Sequence, residues 1–524
     1  YYKRASHIVV MNLTKAIPAA DPLSEGSAES SAHRELRPTK ISRWIGHLIF
    51  FLLVFFTVAL PHSIKGAQHA WKLAFLLWLV QLVFDRRRPF PQPLTAPLLA
   101  YITLSGISTT LTADPILSWD RMKIVCLVLV GVLFAQTLKR LSQVRILVLL
   151  LFLSALAAAA FTAWQYTYGI GVQIKQMPSG SPLARAGIRS NDIIAGIDGK
   201  SVHSPQQLMQ QITAKSQWSP LDLKLLRGYP LEKVAVTVSR DSFVRSGLGT
   251  QQLVLARGKP IRAQGQLRHY VVFAEMLMQL ACLAWAVLLA MGPKARGWRV
   301  LSAVVFASVT IALMFTETRA AMAGLAVGCF VAVLLLTKHS SKRWAIYALL
   351  LLIVIAVFWT RYVRHVQWID LNDTGTHFRV LMWEDGLRLI GQHPWFGIGM
   401  ESVRTYWRQW NIRGFAQYHV VSHFHCTFLQ IAVDRGLTTL AAWLWFVVAY
   451  LIFLVSLIGR ARTQSKFAAG VVAGALAGFV AFQVTSVVHY NLGEEPLATI
   501  LFFYFGVAVA IDRMLNDKEA VDVP

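Results

Sequence analysis

Twelve apolar stretches run through this 524-residue chain. They fall at about 45–61, 70–84, 94–112, 122–138, 144–166, 270–291, 298–315, 318–337, 343–361, 428–458, 467–488 and 494–511. A helix of roughly 20 apolar residues crosses the hydrocarbon core of a bilayer, which offers no water to unpaired backbone groups. The sequence therefore predicts a polytopic α-helical membrane protein with about 12 transmembrane helices.

Lysine and arginine indicate how these helices are oriented. Basic residues crowd alternate connections, such as the three arginines at 86–88 and the group of Arg460, Arg462 and Lys466. Connections of this kind stay in the cytoplasm. We therefore expect both termini to be cytoplasmic and the long loops 167–269 and 362–427 to face outward. The net charge of +25 is spread over the connections rather than gathered in one patch, so it does not indicate a nucleic-acid partner.

The first long loop departs from the membrane pattern at residue 169. The run Ser181–Ile188 predicts a short helix closed by Gly187, Asn191–Ile194 begins a strand, and Asp198-Gly199 makes a hairpin turn. This order resembles the core of a PDZ domain. The resemblance implies a loop that binds the carboxylate of a peptide through backbone N–H groups, formed by Gly169, Ile170, Gly171 and Val172. A PDZ-shaped spacer with a blocked groove is the alternative, because Gly169 directly follows a membrane segment.

Three motifs mark the second half of the chain. The run 318–324 (TRAAMAG) opens an apolar segment, and 378–383 (FRVLMW) precedes 391–399 (GQHPWFGIG). His425 is followed by Cys426, then after nine residues by Gly436, and two residues later by Thr439. Over about residues 260–510 these motifs resemble the O-antigen ligase and polymerase superfamily of bacterial envelopes. Cys426 stands where that family usually has Asn, Ser or Gln, so ligase and polymerase both stay open.

The resemblance implies a GT-C-like enzyme whose donor is a glycan on undecaprenyl diphosphate. Arginine binds phosphate oxygens with a planar fork, so Arg319 and Arg379 are the expected diphosphate contacts. His425 is the expected general base for the attacking hydroxyl, because a neutral imidazole accepts a proton near pH 7. Since the outside loops contain no Asp-x-Asp motif, we expect an inverting transfer with no metal and no cofactor.

Several further residues are expected to bind substrate; they are Arg268, Arg121, His423, Arg404 and Arg408. Each candidate also has a structural interpretation. Arg319 suits an interfacial anchor, Arg379 an ion pair with Glu384 or Asp385, and His425 a buried structural histidine. Arg404 and Arg408, among Tyr406 and two tryptophans, suit an aromatic belt at the membrane surface equally well.

Placed along the chain, these predictions give seven regions. They are a disordered cytoplasmic N-terminus at 1–43, helices at 44–168, the PDZ-like domain at 169–243, helices at 270–361, a periplasmic catalytic loop at 362–427, helices at 428–511 and a cytoplasmic tail at 512–524. The predicted protein is an O-antigen ligase of the Gram-negative inner membrane, in contact with membrane lipids, with lipid A–core as acceptor. A polymerase or protein O-oligosaccharyltransferase with the same donor is the alternative. The third possibility is a transporter or a scaffold whose PDZ-like domain senses a peptide or protein.

Overall fold

The computed structural model describes residues 40–85, 93–112, 114–227, 232–250, 252–258, 262–267, 269–337, 374–418 and 421–517, with isolated positions between 343 and 358. Its first half contains helices α1 (Lys40–Ala59), α2 (Ile64–Asp85), α3 (Thr95–Thr110), α4 (Pro115–Val125), α5 (Val128–Thr137) and α6 (Leu141–Tyr168). After an inserted domain come α10 (Tyr270–Ala290), α11 (Arg296–Thr316), α12 (Arg319–Leu336), α13 (Thr374–Gln392), α14 (Ser402–Thr405), α15 (Arg413–Tyr418), α16 (Thr427–Gln464), α17 (Lys466–Ser486) and α18 (Glu495–Asn516).

Nine helices in the described part of the chain are long and apolar enough to cross a membrane; they are α1, α2, α6, α10, α11, α12, α16, α17 and α18. The prediction of a polytopic helical protein is confirmed. The stretch predicted at 94–112 forms α3, which has only 16 residues. The stretch predicted at 122–138 is not one helix, because the chain breaks between α4 and α5 at Cys126 and Leu127. The stretch predicted at 343–361 lies mostly outside the described residues.

Small residues set the spacing of the helices at the centre. A Cβ added to Gly474 of α17 would lie 2.8 Å from Leu283 Cα of α10, and one added to Gly328 of α12 would lie 2.7 Å from the Ala477 carbonyl oxygen. Helices in membranes associate by such close backbone approach, since lipid gives no hydrophobic drive between them. As a result α10, α17 and α12 pack tightly against one another.

The inserted domain is one antiparallel sheet with short helices. Its elements are β1 (Val172–Gln176), α7 (Pro182–Arg185), β2 (Ile193–Ile197), β3 (Lys200–Ser201), α8 (Pro205–Thr213), β4 (Pro220–Arg227), β5 (Glu232–Ser239), α9 (Arg240–Arg245) and β6 (Val254–Arg257). The strand order is β5-β4-β2-β1-β6, with β3 beside β2. Alternate residues of β4 are buried with α8 in a small separate core. The sheet continues past residue 243, where we expected the domain to end, because β6 is too short to be recognised from its sequence.

A short segment ties this domain to α10. The side-chain oxygen Oε1 of Gln165, near the end of α6, accepts hydrogen bonds from the backbone N–H groups of Gln264 and Gly265, both at 3.2 Å. The N–H of Ala263 donates to the carbonyl of Phe315 at 2.9 Å. The segment therefore lies on the ends of α6 and α11. His269 follows it in the chain and caps the start of α10.

Candidate functional site

A break in α16 shapes the site. Gly436 has φ 82° and ψ 168° inside the helix, a combination open essentially only to glycine. The loop before α14 fits into this break: the N–H groups of Ile398 and Gly399 donate to the carbonyls of Val433 and Asp434, each at 2.9 Å. The N–H of Leu437 donates to the Pro394 carbonyl at 2.7 Å. The run 391–399 and the glycine after His425 thus belong to one structural unit.

Two histidines flank a buried phenylalanine just before α16. Phe424 is fully buried, its N–H donates to Gln430 Oε1 at 2.8 Å, and its carbonyl accepts from Trp383 Nε1 at 3.1 Å. His423 and His425 are thereby held with their ring centres 4.3 Å apart. His425 has φ 50°, a left-handed conformation that is uncommon for a residue with a side chain. A backbone strained at this position is consistent with a functional residue.

A third histidine joins them from the turn between α17 and α18. Nδ1 of His489 lies 2.7 Å from Oε1 of Glu275, a carboxylate fully buried in α10. Oε2 of Glu275 accepts from Thr485 Oγ1 at 2.9 Å and from Asn491 Nδ2 at 3.2 Å. The His489 ring centre is 5.8 Å from that of His423. A carboxylate that orients an imidazole in this way fixes its tautomer and supports a positive charge on it.

Burial and charge give these histidines different proton affinities. Burial lowers the pKa of His425 to about 3, with the charge of Arg379 acting in the same direction. Burial and then the neighbouring His425 and His489 lower the pKa of His423. Burial also lowers the pKa of His489, but the ion pair with Glu275 outweighs it and the pKa lies above its ordinary value. Near neutral pH, His423 and His425 are therefore uncharged.

Arg379 lies near enough to this cluster for its charge to lower the pKa of His425, and Arg319 begins α12, which packs against α10 and α17. Arg379 follows Phe378, whose ring packs edge-on to His425 with centres 5.6 Å apart. Arg319 is the first residue of α12, five residues before Gly324, where an added Cβ would lie 3.2 Å from Thr485. Because five residues of helix rise by about 7.5 Å, Arg319 lies about that far along the axis of α12 from Gly324. Glu384 and Asp385, considered as partners of Arg379, both bind Arg413, at 3.0 and 2.8 Å.

A cavity of about 220 Å³ opens beside His423. Arg121 and Arg404, both predicted to bind substrate, line it and pair with Glu401 at 3.3 and 3.2 Å. Arg408 does not line the cavity; its guanidinium stacks on Trp407 at 4.9 Å. Arg268 lies outside the described residues.

One group of side chains has the spacing of a metal site. Ligand atoms of His423, His489 and Glu494 lie within 4.8 Å of one another. However, Nδ1 of His423 accepts the N–H of His425 at 3.1 Å, so in the neutral ring the proton is on Nε2. That nitrogen then donates and offers no lone pair to a metal. With this tautomer, His423 does not fit a metal centre formed with His489 and Glu494.

The predicted peptide-binding residues lead from the end of α6 into an interior strand of the inserted domain. Val172 begins β1, which pairs with β2 on one side and with β6 on the other. The N–H of Ile170 donates to the Gly258 carbonyl at 2.5 Å, and Gly258 donates back to the Gly171 carbonyl at 3.0 Å. A peptide strand cannot add to β1 without displacing β6. Among the described strands, β6 ends the sheet and lies against α8.

Sequence reasoning missed four residues of the site. Glu275 is the first of them, although a carboxylate inside an apolar stretch already indicates a functional position. His489, Asp434 and Arg435 were not singled out. Asp434 and Arg435 lie between His425 and Gly436, and both are almost fully buried. A charged pair in the first turns of an apolar helix was the signal that could have found them.

Comparisons with known proteins agree with this organisation. Residues 303–444 match the family model of the O-antigen ligases. This region includes α12, the loop that fits into the helix break, His423 and His425. Residues 139–238 match the model of the PDZ domain. A search of curated proteins found no match. The chain is therefore a multi-pass helical membrane protein with one region similar to the O-antigen ligases, at 303–444, and an inserted region similar to PDZ domains.

Proposed function

We propose that this protein is an O-antigen ligase of the Gram-negative inner membrane. It transfers a glycan from undecaprenyl diphosphate to a sugar hydroxyl of lipid A–core, on the periplasmic side and with inversion at the anomeric carbon. The observation that carries the proposal is the cluster of two uncharged histidines beside Arg379, built on motifs of the matched family. It combines a proton acceptor with a cation that attracts phosphate.

The bond changes follow from these residues. The acceptor oxygen bonds to the anomeric carbon while the bond from that carbon to the diphosphate oxygen breaks, and the electron pair leaves with the diphosphate. The hydroxyl proton passes to His425, which lies beside His423 of the cavity wall. Arg379 and Arg319 stabilise the charge that develops on the diphosphate, as fixed cations do in sites shielded from water. No metal is needed for this charge stabilisation.

Deleting the gene in its host and complementing it with variants tests the proposal. We expect the lipopolysaccharide ladder to disappear on deletion, with donor-linked glycan accumulating. Wild-type protein restores the ladder, whereas His425→Ala, Arg319→Ala and Arg379→Ala do not. His423→Ala distinguishes the roles of the two imidazoles. If His423 only positions the acceptor, this variant retains partial activity. An unchanged ladder in the deletion strain would refute the ligase proposal.

A polymerase or protein O-oligosaccharyltransferase is the second candidate, because Cys426 departs from the usual ligase residue. A core carrying a single repeat in the deletion strain would identify a polymerase. A normal ladder with an unglycosylated surface protein would identify the protein transferase.

The PDZ domain supports a peptide or protein partner. We place the peptide at the outer edge of β6, facing α8, rather than at the predicted residues 169–172. An edge strand offers unpaired N–H and C=O groups to which an extended peptide can add. Two glycines with positive φ, Gly247 and Gly249, precede this strand. They suit a loop that turns backbone N–H groups toward a carboxylate.

A further inference from the structure

The cavity beside His423 is small and polar. It lies between the end of α4, the residues before α14, the first turns of α16 and the turn that precedes α18. Its volume of about 220 Å³ is below the roughly 300–1,000 Å³ of cavities that hold drug-sized ligands. It therefore has room for one ring rather than for a chain of sugars.

Acidic and basic side chains line the cavity in equal numbers. Three arginines and three carboxylic residues face it; they are Arg121, Arg404, Arg435, Glu401, Asp434 and Glu494. Glu401 is shared by two of the arginines, and both carboxylate oxygens of Asp434 accept from Gln430 Nε2, at 2.9 and 3.0 Å. Arg435 donates to Tyr101 Oη at 2.8 Å and to Ser105 Oγ at 3.2 Å. The lining thus offers hydrogen-bond donors and hydrogen-bond acceptors side by side.

This mixed lining suits a ligand that both donates and accepts hydrogen bonds. A diphosphate offers mainly acceptors and cannot donate to the carboxyl groups of the wall. An uncharged sugar ring has hydroxyls that both donate and accept, so it can donate to the carboxylates and accept from the arginines. The rings of Tyr101 and Tyr490 also line the cavity and offer flat apolar surfaces.

We propose that this cavity is the acceptor subsite and that it holds one uncharged sugar ring of the acceptor. The assignment rests on the proposed transferase function. His423 and Glu494 border the same cavity, and His425 lies beside His423. A hydroxyl of the bound ring is thereby presented to the histidine pair, while the donor diphosphate stays with Arg379 and Arg319 outside the cavity.

Glu401→Gln tests the proposal, because an uncharged sugar and an anionic sugar predict opposite changes in KM for the acceptor. The substitution keeps the shape of the side chain and leaves Arg121 and Arg404 without their shared carboxylate. Full-length protein in detergent is assayed with lipid A–core as acceptor and undecaprenyl-diphosphate glycan as donor. We expect KM for the acceptor to rise about tenfold, the usual effect of losing one charged hydrogen-bond partner, with KM for the donor unchanged. An anionic sugar in the cavity would instead bind more tightly to the variant, and a lower acceptor KM would overturn the proposal.

Two controls make the test specific. Lys123→Ala removes a cation from the same helix as Arg121. Lys123 pairs with Asp120, which does not line the cavity, at 3.0 Å, so the acceptor KM of this variant should match wild type. Tyr490→Phe is a second cavity variant and should raise acceptor KM as well. Equal thermal melting of all variants shows that folding is intact. A rise in donor KM instead of acceptor KM would assign the cavity to the donor and refute the inference.

Direct sugar binding separates the inference from the proposed function. Uncharged methyl hexosides and the corresponding methyl hexuronides are titrated into wild type and Glu401→Gln, without donor. We expect the uncharged sugars to bind wild type and to lose about tenfold in affinity in the variant. If the wild type binds them but transfers no glycan, the proposed function fails while the sugar subsite stands. If no uncharged hexoside binds and a hexuronide does, the subsite assignment is wrong.

Discussion

Gly436→Ala tests how the helix break builds the site. At φ 82° and ψ 168°, a residue with a side chain costs about 1–3 kcal/mol in backbone strain. The new Cβ would also lie 2.0 Å from the Trp395 carbonyl oxygen and 2.5 Å from the Phe396 nitrogen. Both are backbone atoms, which cannot rotate away as a flexible side chain would. The loop at 394–399 must therefore move out of the break.

Moving this loop breaks three backbone hydrogen bonds, those of Ile398 and Gly399 to α16 and that of Leu437 to Pro394. At about 1 kcal/mol each, and with the backbone strain added, the free energy of unfolding falls by roughly 4–6 kcal/mol. The same movement releases the start of α16, which follows His425. We expect glycan transfer to fall at least a hundredfold.

Gly459→Ala is the matched control on the same helix. Gly459 is exposed, and an added Cβ meets nothing within 4 Å. Alanine favours a helix over glycine by about 1 kcal/mol, so this variant should be as stable as wild type or more so, with normal activity. Thermal melting in detergent and the transfer assay are measured on both variants. Wild-type melting and wild-type transfer in Gly436→Ala would refute the account of the helix break.

Two further predictions concern the buried histidines. Glu275→Gln removes the carboxylate that supports a positive charge on His489. Since a hydrogen bond to a charged group is worth about 1.5–3 kcal/mol, we expect glycan transfer to fall at least tenfold. Normal kcat and normal acceptor KM in this variant would contradict a role of Glu275 in the site. Stability should also depend on pH, because burial lowers the pKa from its ordinary value of 6.5 to about 3 for His425 and to about 4 for His269. The unfolded chain binds these protons first, so stability present above pH 6.5 is lost as pH falls toward 4, by about 1 kcal/mol per pH unit for each histidine. Melting temperatures at pH 7.5, 6 and 5 measure this, and an unchanged melting temperature would contradict it.

Much of this architecture follows from local sequence patterns. Long apolar stretches predict helices directly. The PDZ core is recognisable because its turns need Gly187 and Gly199 at fixed positions. The break at Cys126 and Leu127 was not predicted, since both residues are apolar and hydropathy does not reveal a change in backbone direction. β6 was missed because four residues carry too little periodicity.

The candidate site was predictable only where its residues fall in motifs. His425 and Arg379 stand within recognisable runs and come together at α16. His489 is 64 residues from His425 along the chain and approaches it only because α10, α17 and α18 pack at the centre of the bundle. No local pattern encodes that approach. The equal numbers of arginines and carboxyl groups in the cavity likewise depend on four separate segments meeting.

Transfer by purified protein tests the central claim most directly. Full-length wild type and His425→Ala are placed in lipid nanodiscs with undecaprenyl-diphosphate glycan, lipid A–core and a chelator. We predict that wild type forms glycan-extended lipid A–core and releases undecaprenyl diphosphate in equal amounts, whereas His425→Ala forms neither although it still binds the donor. Equal product from both proteins would contradict the role of His425, and no product from folded wild type would contradict the ligase function itself.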